Sequence, residues 1–167
     1  ANPVEAMGYV AFADATQKAG VDGLLTVDLP PEESQECADL LNARNIDQIF
    51  LLAPNSNSER IRKMDKVGSG FLYYVSVKGV TGAGHLDTND VKTKLVDIRA
   101  NTELPVAIGF GVKDAKTAQT IAGLGDAVVV GSALISKIEA NLDSPEQAKQ
   151  EITELLKSMR TAMDNQG

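Results

Sequence analysis

The sequence predicts an α/β fold built on a parallel sheet, and three observations carry that prediction. Short apolar runs rich in Val, Ile and Leu alternate with longer stretches whose apolar residues recur at helical spacing. The runs begin near residues 23, 48, 71, 105 and 127, so one strand-plus-helix unit recurs about every 25 residues. The runs are also apolar nearly throughout, as expected of strands covered on both faces, and strictly alternating units imply right-handed crossovers.

Composition narrows the class further. A chain of 167 residues that is 43% apolar can bury one sizeable core, and a single domain over 1–167 is expected. Its net charge of −7 and pI near 4.7 argue against a nucleic-acid surface, which depends on clustered Lys and Arg. One Cys excludes an internal disulfide and, with a single His, any zinc site of familiar spacing, so no metal is expected and a reducing cytoplasm fits best. No apolar stretch approaches the length of a membrane span, and neither a membrane span nor a charged-then-apolar leader is expected.

The elements follow in order. Asn2 and Pro3 suit an N-cap and a first helical position, and the helical pattern runs on to a stop at Gly20. Val21 to Asp28 reads as a buried strand ended by Pro30 and Pro31; Glu32 and Glu33 then fall in the first turn of a helix whose inner stripe is Cys37, Leu40 and Leu41. Cys37 therefore reads as core packing. Ile46 to Ala53 is the next strand, and the Asn55 to Ser58 cluster caps a helix with Ile61, Met64 and Val67 inward. Gly68 and Gly70 bracket a turn into Phe71 to Val75. The connection that follows is the longest, with Gly79, Gly82 and Gly84 as hinge points and His85 as an exposed loop residue. Asp90 to Ala100 is a helix with Val91, Leu95 and Ile98 inward.

Leu104 to Ile108 and Ala127 to Val130 are the last two strands. Gly109, Gly111 and Gly131 stand where these apolar runs give way to helical patterns, so two helix N-termini are expected to open side by side. Free N–H groups and the positive end of each macrodipole would then converge on a phosphate. Ser144-Pro145-Glu146-Gln147 reads as a capping box before a closing helix that carries Ala148, Ile152, Leu155, Leu156 and Met159 on one face. Phosphate turns so late in the chain favour a (β/α)8 barrel over an open doubly wound sheet. Five units do not close such a barrel, so about three, or roughly 80–100 residues, are expected to precede Ala1.

The chain also resembles a known family. GVDGLLTVDLPPEES (20–34), IFLLAPNSNSERI (49–61), GFLYYVSVKGVTG (70–82), LPVAIGFGV (104–112) and VVVGSALI (128–135) together resemble the alpha subunit of tryptophan synthase. The resemblance implies a TIM barrel, here a partial one with strands 4 to 8, and retro-aldol cleavage of indole-3-glycerol phosphate to indole and glyceraldehyde 3-phosphate. It implies that Gly82, Gly111, Gly131 and Ser132 hold the phosphate and that Leu25, Val27, Leu51 and Phe110 line the indole pocket. Tyr73 would face the glycerol portion, and Thr81 would close a lid. Asn2, Asp28 and Pro30 match positions facing the family's beta subunit, which would carry the pyridoxal phosphate of the heterotetramer. Val77 departs from the Arg that several relatives carry beside the lid. The family's catalytic Glu and Asp match no position here, so these 167 residues are expected to be inactive alone. Two other readings are a non-catalytic half-barrel that binds a partner and another phosphate-binding barrel, an isomerase of phosphoribosyl compounds.

Overall fold

A computed structural model describes residues 1–75, 88–109 and 111–165. The chain divides into two compact units, Ala1–Tyr74 with Val96–Val106, and Val75–Leu95 with Ala107–Gly167.

In the first unit, α1 (Asn2–Met7) and α2 (Tyr9–Lys18) replace the single expected helix. Gly8 separates them with φ 84° and ψ 135°, a backbone state that breaks the helical ladder and that glycine adopts without Cβ strain. The N-cap is Ala1 rather than Asn2, which is already helical. Strand β1 is only Gly23–Leu25 and its residues are half-buried to exposed, so the expected buried strand over 21–28 is corrected to three residues. The chain turns away at once, with the Leu29 N–H facing the Thr26 carbonyl at 3.5 Å. Helix α3 (Gln35–Asn42) starts after Ser34, which leaves Glu32 and Glu33 in the preceding turn rather than in the helix. In that turn the Glu33 N–H donates to the Pro30 carbonyl at 3.0 Å and the Ser34 hydroxyl to the Pro31 carbonyl at 3.1 Å. Cys37 and Leu41 are buried against Ala13, Leu29 and Ile46, so Cys37 is core as expected; burial holds its thiol above the ordinary cysteine range.

Strand β2 (Asp47–Leu52) runs parallel to β1, with Leu25 paired to Ile49. Strand β3 (Leu72–Val75) runs parallel to β2, with Leu51 paired to Tyr73. Because side chains alternate along a strand, Gln48, Phe50 and Leu52 share one face of β2 and are all buried, whereas Asp47 and Leu51 on the other face are only half-buried. Burying side chains the size of Phe50 and Leu52 contributes roughly 1.5–3 kcal/mol each. Between these strands, α4 (Ser58–Val67) is capped by Asn57, whose side chain accepts from the Arg60 N–H, and buries Ile61 and Met64.

Helix α5 (Thr88–Arg99) buries Val91, Leu95 and Ile98 as its spacing predicts. Strands β4 (Val106–Gly109) and β5 (Ala127–Val129) are parallel, with Gly109 paired to Val129. Helix α6 (Ala115–Ala122) buries Ala118 and Ile121, and α8 (Pro145–Asp164) buries Ala148 and Met159. Ser144 precedes Pro145 as the N-cap but forms no side-chain cap bond, so the expected capping box is not closed; Gln147 instead donates to Glu151 at 3.2 Å. Lys137 of α7 (Ser132–Glu139) meets Glu151 at 3.0 Å and ties α7 to α8. Leu156 is 42% exposed rather than inward. Ile135, Ile138 and Leu142 are exposed as well.

Candidate functional site

Sequence-predicted site residues fall in both units. In the second, register decides the geometry. Gly109 and Val129 are paired, and Gly111 and Gly131 each stand two residues further on, so both glycines lie at the C-terminal ends of neighbouring parallel strands. A Cβ at either position would meet nothing within 4 Å, and both residues are exposed. Gly111 has φ 45°, which turns its backbone out of the strand direction into a conformation that favours glycine.

Helix α7 opens directly at this rim. Gly131 is its N-cap and makes no side-chain cap bond, and Ser132 is its exposed first residue. The Leu134 N–H is satisfied by the Gly131 carbonyl at 2.9 Å. The first N–H groups of a helix have no partner within it, and they coincide with the positive end of the macrodipole. An anion approaching Gly131 and Ser132 therefore meets donors that the ladder does not use.

The second expected helix N-terminus is not arranged in this way. Helix α6 begins at Ala115, four residues beyond Gly111, and Asp114 is its N-cap. The Asp114 Oδ1 accepts the Thr117 N–H at 2.8 Å, and that bond, with the Thr117 hydroxyl, holds the carboxyl below the usual carboxylate range. An anionic side chain thus already occupies the positive end of α6. Among the described residues, the expected pair of uncapped helix N-termini at this rim is thus reduced to α7, which has no side-chain cap, with the Gly111 backbone as its neighbour. The signal was present in the sequence: Asp114 stands directly before the helical pattern that opens at Ala115, and Asp is a preferred N-cap residue.

In the first unit, Leu25, Leu51 and Tyr73 lie on one face of the β1–β2–β3 strands. Leu25 pairs with Ile49, Ile49 and Leu51 are two residues apart, and Leu51 pairs with Tyr73. Val27 lies beyond the end of β1 and is 70% exposed. Asp28 is exposed directly after it. Asn2 is exposed and Pro30 half-buried. Gly82 and Thr81, with Val77 and His85, lie outside the described residues, as does Phe110.

Among the described residues no cluster of three His, Cys, Asp or Glu could hold a metal ion, and no helix is long and apolar enough to cross a membrane. Among the charged contacts that sequence reading missed, the Lys63 Nζ lies 3.1 Å from carboxylate oxygens of both Glu32 and Glu59. Only the Glu59 pair, four residues apart on one helix, leaves a mark in the sequence.

Residues 1–164 match the family model described as Tryptophan synthase alpha chain. The chain is 55% identical over 163 residues to the tryptophan synthase alpha chain of Methylococcus capsulatus, covering 98% of this chain and 61% of that one. It is 54% identical to the alpha chain of Thioalkalivibrio sulfidiphilus over the same shares. Among solved structures, the alpha chain from Legionella pneumophila superposes with a TM-score of 0.87 at 35% identity, covering 100% of this chain and 61% of that one. A chain of the tryptophan synthase a2b2 complex from Pyrococcus furiosus superposes with a TM-score of 0.84 at 29% identity, covering 96% of this chain and 64% of that one. The chain therefore spans about three fifths of the length of the relatives it matches. Its fold is α/β, of the TIM-barrel kind that these neighbours share. On the match over residues 1–164, the chain belongs to the tryptophan synthase alpha chain family.

Proposed function

We propose that this chain supplies the phosphate-holding and indole-lining part of an alpha subunit that cleaves indole-3-glycerol phosphate in tryptophan biosynthesis, in the cytoplasm. The observation that carries the reading is the pairing of Gly109 with Val129, which puts Gly111 and Gly131 at the ends of adjacent strands beside the open N-terminus of α7. Backbone N–H groups of Gly111, Gly131 and Ser132, with the Ser132 hydroxyl, would take the phosphate, and Gly82 would join them. Leu25, Val27, Leu51 and Phe110 would cover the indole ring, Tyr73 would face the glycerol hydroxyls, and Thr81 would close over them.

The reaction breaks one carbon–carbon bond. Its electron pair passes to the indole ring carbon, which takes a proton, while the neighbouring hydroxyl loses one and becomes the aldehyde of glyceraldehyde 3-phosphate. An acid, a base and a group polarising the ring N–H are needed, and the family's Glu and Asp for these tasks match no position here. These 167 residues alone would thus bind without turnover. In this reading a beta chain is the partner and carries the pyridoxal phosphate, and Asn2, Asp28 and Pro30 face it.

Calorimetric titration with indolepropanol phosphate, against a phosphoribosyl ligand as competitor, tests the reading. Preferential binding of the indole compound is expected; equal or inverted preference would point to an isomerase of phosphoribosyl compounds. Turnover of indole-3-glycerol phosphate by the pure chain well above buffer would overturn the inactivity. The exposed apolar side chains Ile135, Ile138, Leu142 and Leu156 favour a second reading, an assembly module, which a monodisperse monomer at micromolar concentration would exclude.

A further inference from the structure

The segment from Thr26 to Ser34, between β1 and α3, is anchored at some points and free at others. Leu29, Pro31 and Ser34 are buried, whereas Val27 and Asp28 face solvent directly after the end of a parallel strand, the place where α/β folds meet their ligands. Glu32 lies on the outer side of this segment. Its Oε1 accepts from the Lys63 Nζ of α4 at 3.1 Å, and the same ammonium lies 3.1 Å from the Glu59 Oε1, one turn earlier on α4.

We propose that Lys63 is a positioning residue for this rim segment, a cation on α4 that bridges Glu59 of its own helix to Glu32 and so fixes the course of 26–34. Two geometric facts support it. The Glu59 pair holds the long Lys63 side chain along the helix, so less rotamer freedom is lost when the ammonium also reaches Glu32. The Glu32 contact joins residues 31 apart in sequence, so it restrains the segment and not merely the helix. The charges agree. Bonds to Glu59 and Glu32 raise the Lys63 pKa, and Glu32 is lowered by its own backbone N–H and by Lys63. Lys63 and Glu32 are each about half exposed, so the bridge is a latch that opens readily, with effects of a few-fold.

The proposal rests on the functional reading above only in taking 26–34 as part of the rim that meets ligand and partner. Hydrogen exchange on the whole chain, read on peptides covering 26–34 and α4, tests the latch. Glu32→Gln and Lys63→Met are expected to raise exchange over 26–34 by about two- to fivefold, and Lys63→Arg to keep it near wild type. Salt near 1 M should loosen the segment in the wild type and have little further effect in Glu32→Gln, a sensitivity that a packing role would not produce. Unchanged exchange over 26–34 in Glu32→Gln would overturn the proposal. So would Lys63→Met loosening α4 alone. A wild-type chain without affinity for indolepropanol phosphate would sink the functional reading and leave the exchange result to decide the latch by itself.

Discussion

Leu51 on β2 and Tyr73 on β3 are register partners, so their side chains leave the same face of the strands and are both half-buried, while their neighbours Leu52 and Tyr74, also paired, are buried on the opposite face. One residue of offset separates a candidate ligand wall from a structural core.

That offset makes a paired test. Leu51→Ala is expected to weaken binding of an indole ligand about tenfold or more, from lost apolar contact, with a modest effect on stability. Leu52→Ala, at a fully buried position, is expected to cost about 2–5 kcal/mol of stability while the folded fraction binds as before. Chemical unfolding and calorimetry on both variants would check this, and equal losses of affinity would refute the assignment of faces.

At the anion rim, Gly131→Val has room for its side chain, because a Cβ there meets nothing within 4 Å. The added branches would fill the approach to α7, so binding of inorganic phosphate or indolepropanol phosphate should fall at least about tenfold. Ser132→Ala should lose about one hydrogen bond, roughly five- to tenfold. Titration at fixed ionic strength measures both, and unaltered affinity in Gly131→Val would remove this rim from the site.

Asp114 gives a pH dependence with a definite sign. Its folded pKa is lowered by the Thr117 N–H and hydroxyl, so the charged cap contributes fully above the ordinary aspartate pKa of about 3.9 and is lost as pH falls through the lower folded value. Asp114→Ala is expected to cost about 1 kcal/mol at neutral pH, and its gap from the wild type should narrow below about pH 4. Thermal unfolding at several pH values tests this; a gap that widens on acidification would contradict it.

Gln48 is fully buried, and among the described residues its Nε2 reaches only the Ile49 carbonyl at 3.5 Å and its Oε1 has no partner. Replacing it with Met removes a buried acceptor while keeping the shape, so stability should stay level or rise by about 1–2 kcal/mol. A loss above about 1 kcal/mol in urea unfolding would mean that this oxygen holds a bound water.

Much of the scaffold was legible in the sequence, because apolar runs and helical stripes report burial directly. Observed strand starts at 23, 47, 72, 106 and 127 lie within a residue of those read from the runs. What an apolar run does not report is where the backbone ladder ends. Thr26, Val27 and Asp28 continue the run of β1, yet the turn at Leu29 takes them out of the sheet. Helical spacing likewise passes through Gly8, where a positive φ breaks the helix. At the candidate site the glycines drew attention and Asp114 did not, although Asp114 decides which helix N-terminus is open. Glu32 and Lys63 could not be matched from sequence, since a contact between residues 31 apart leaves no local periodicity.

The exposed apolar side chains Ile135, Ile138, Leu142 and Leu156 also govern how the chain behaves in concentrated solution. Copies carrying them are kept apart chiefly by their net charge of −7, and that repulsion fades as the medium approaches the pI near 4.7. Colloidal stability is thus coupled to acidity: mild acidification lets separate molecules meet through these side chains while Asp114 remains ionised, and clouding should precede the loss of its cap.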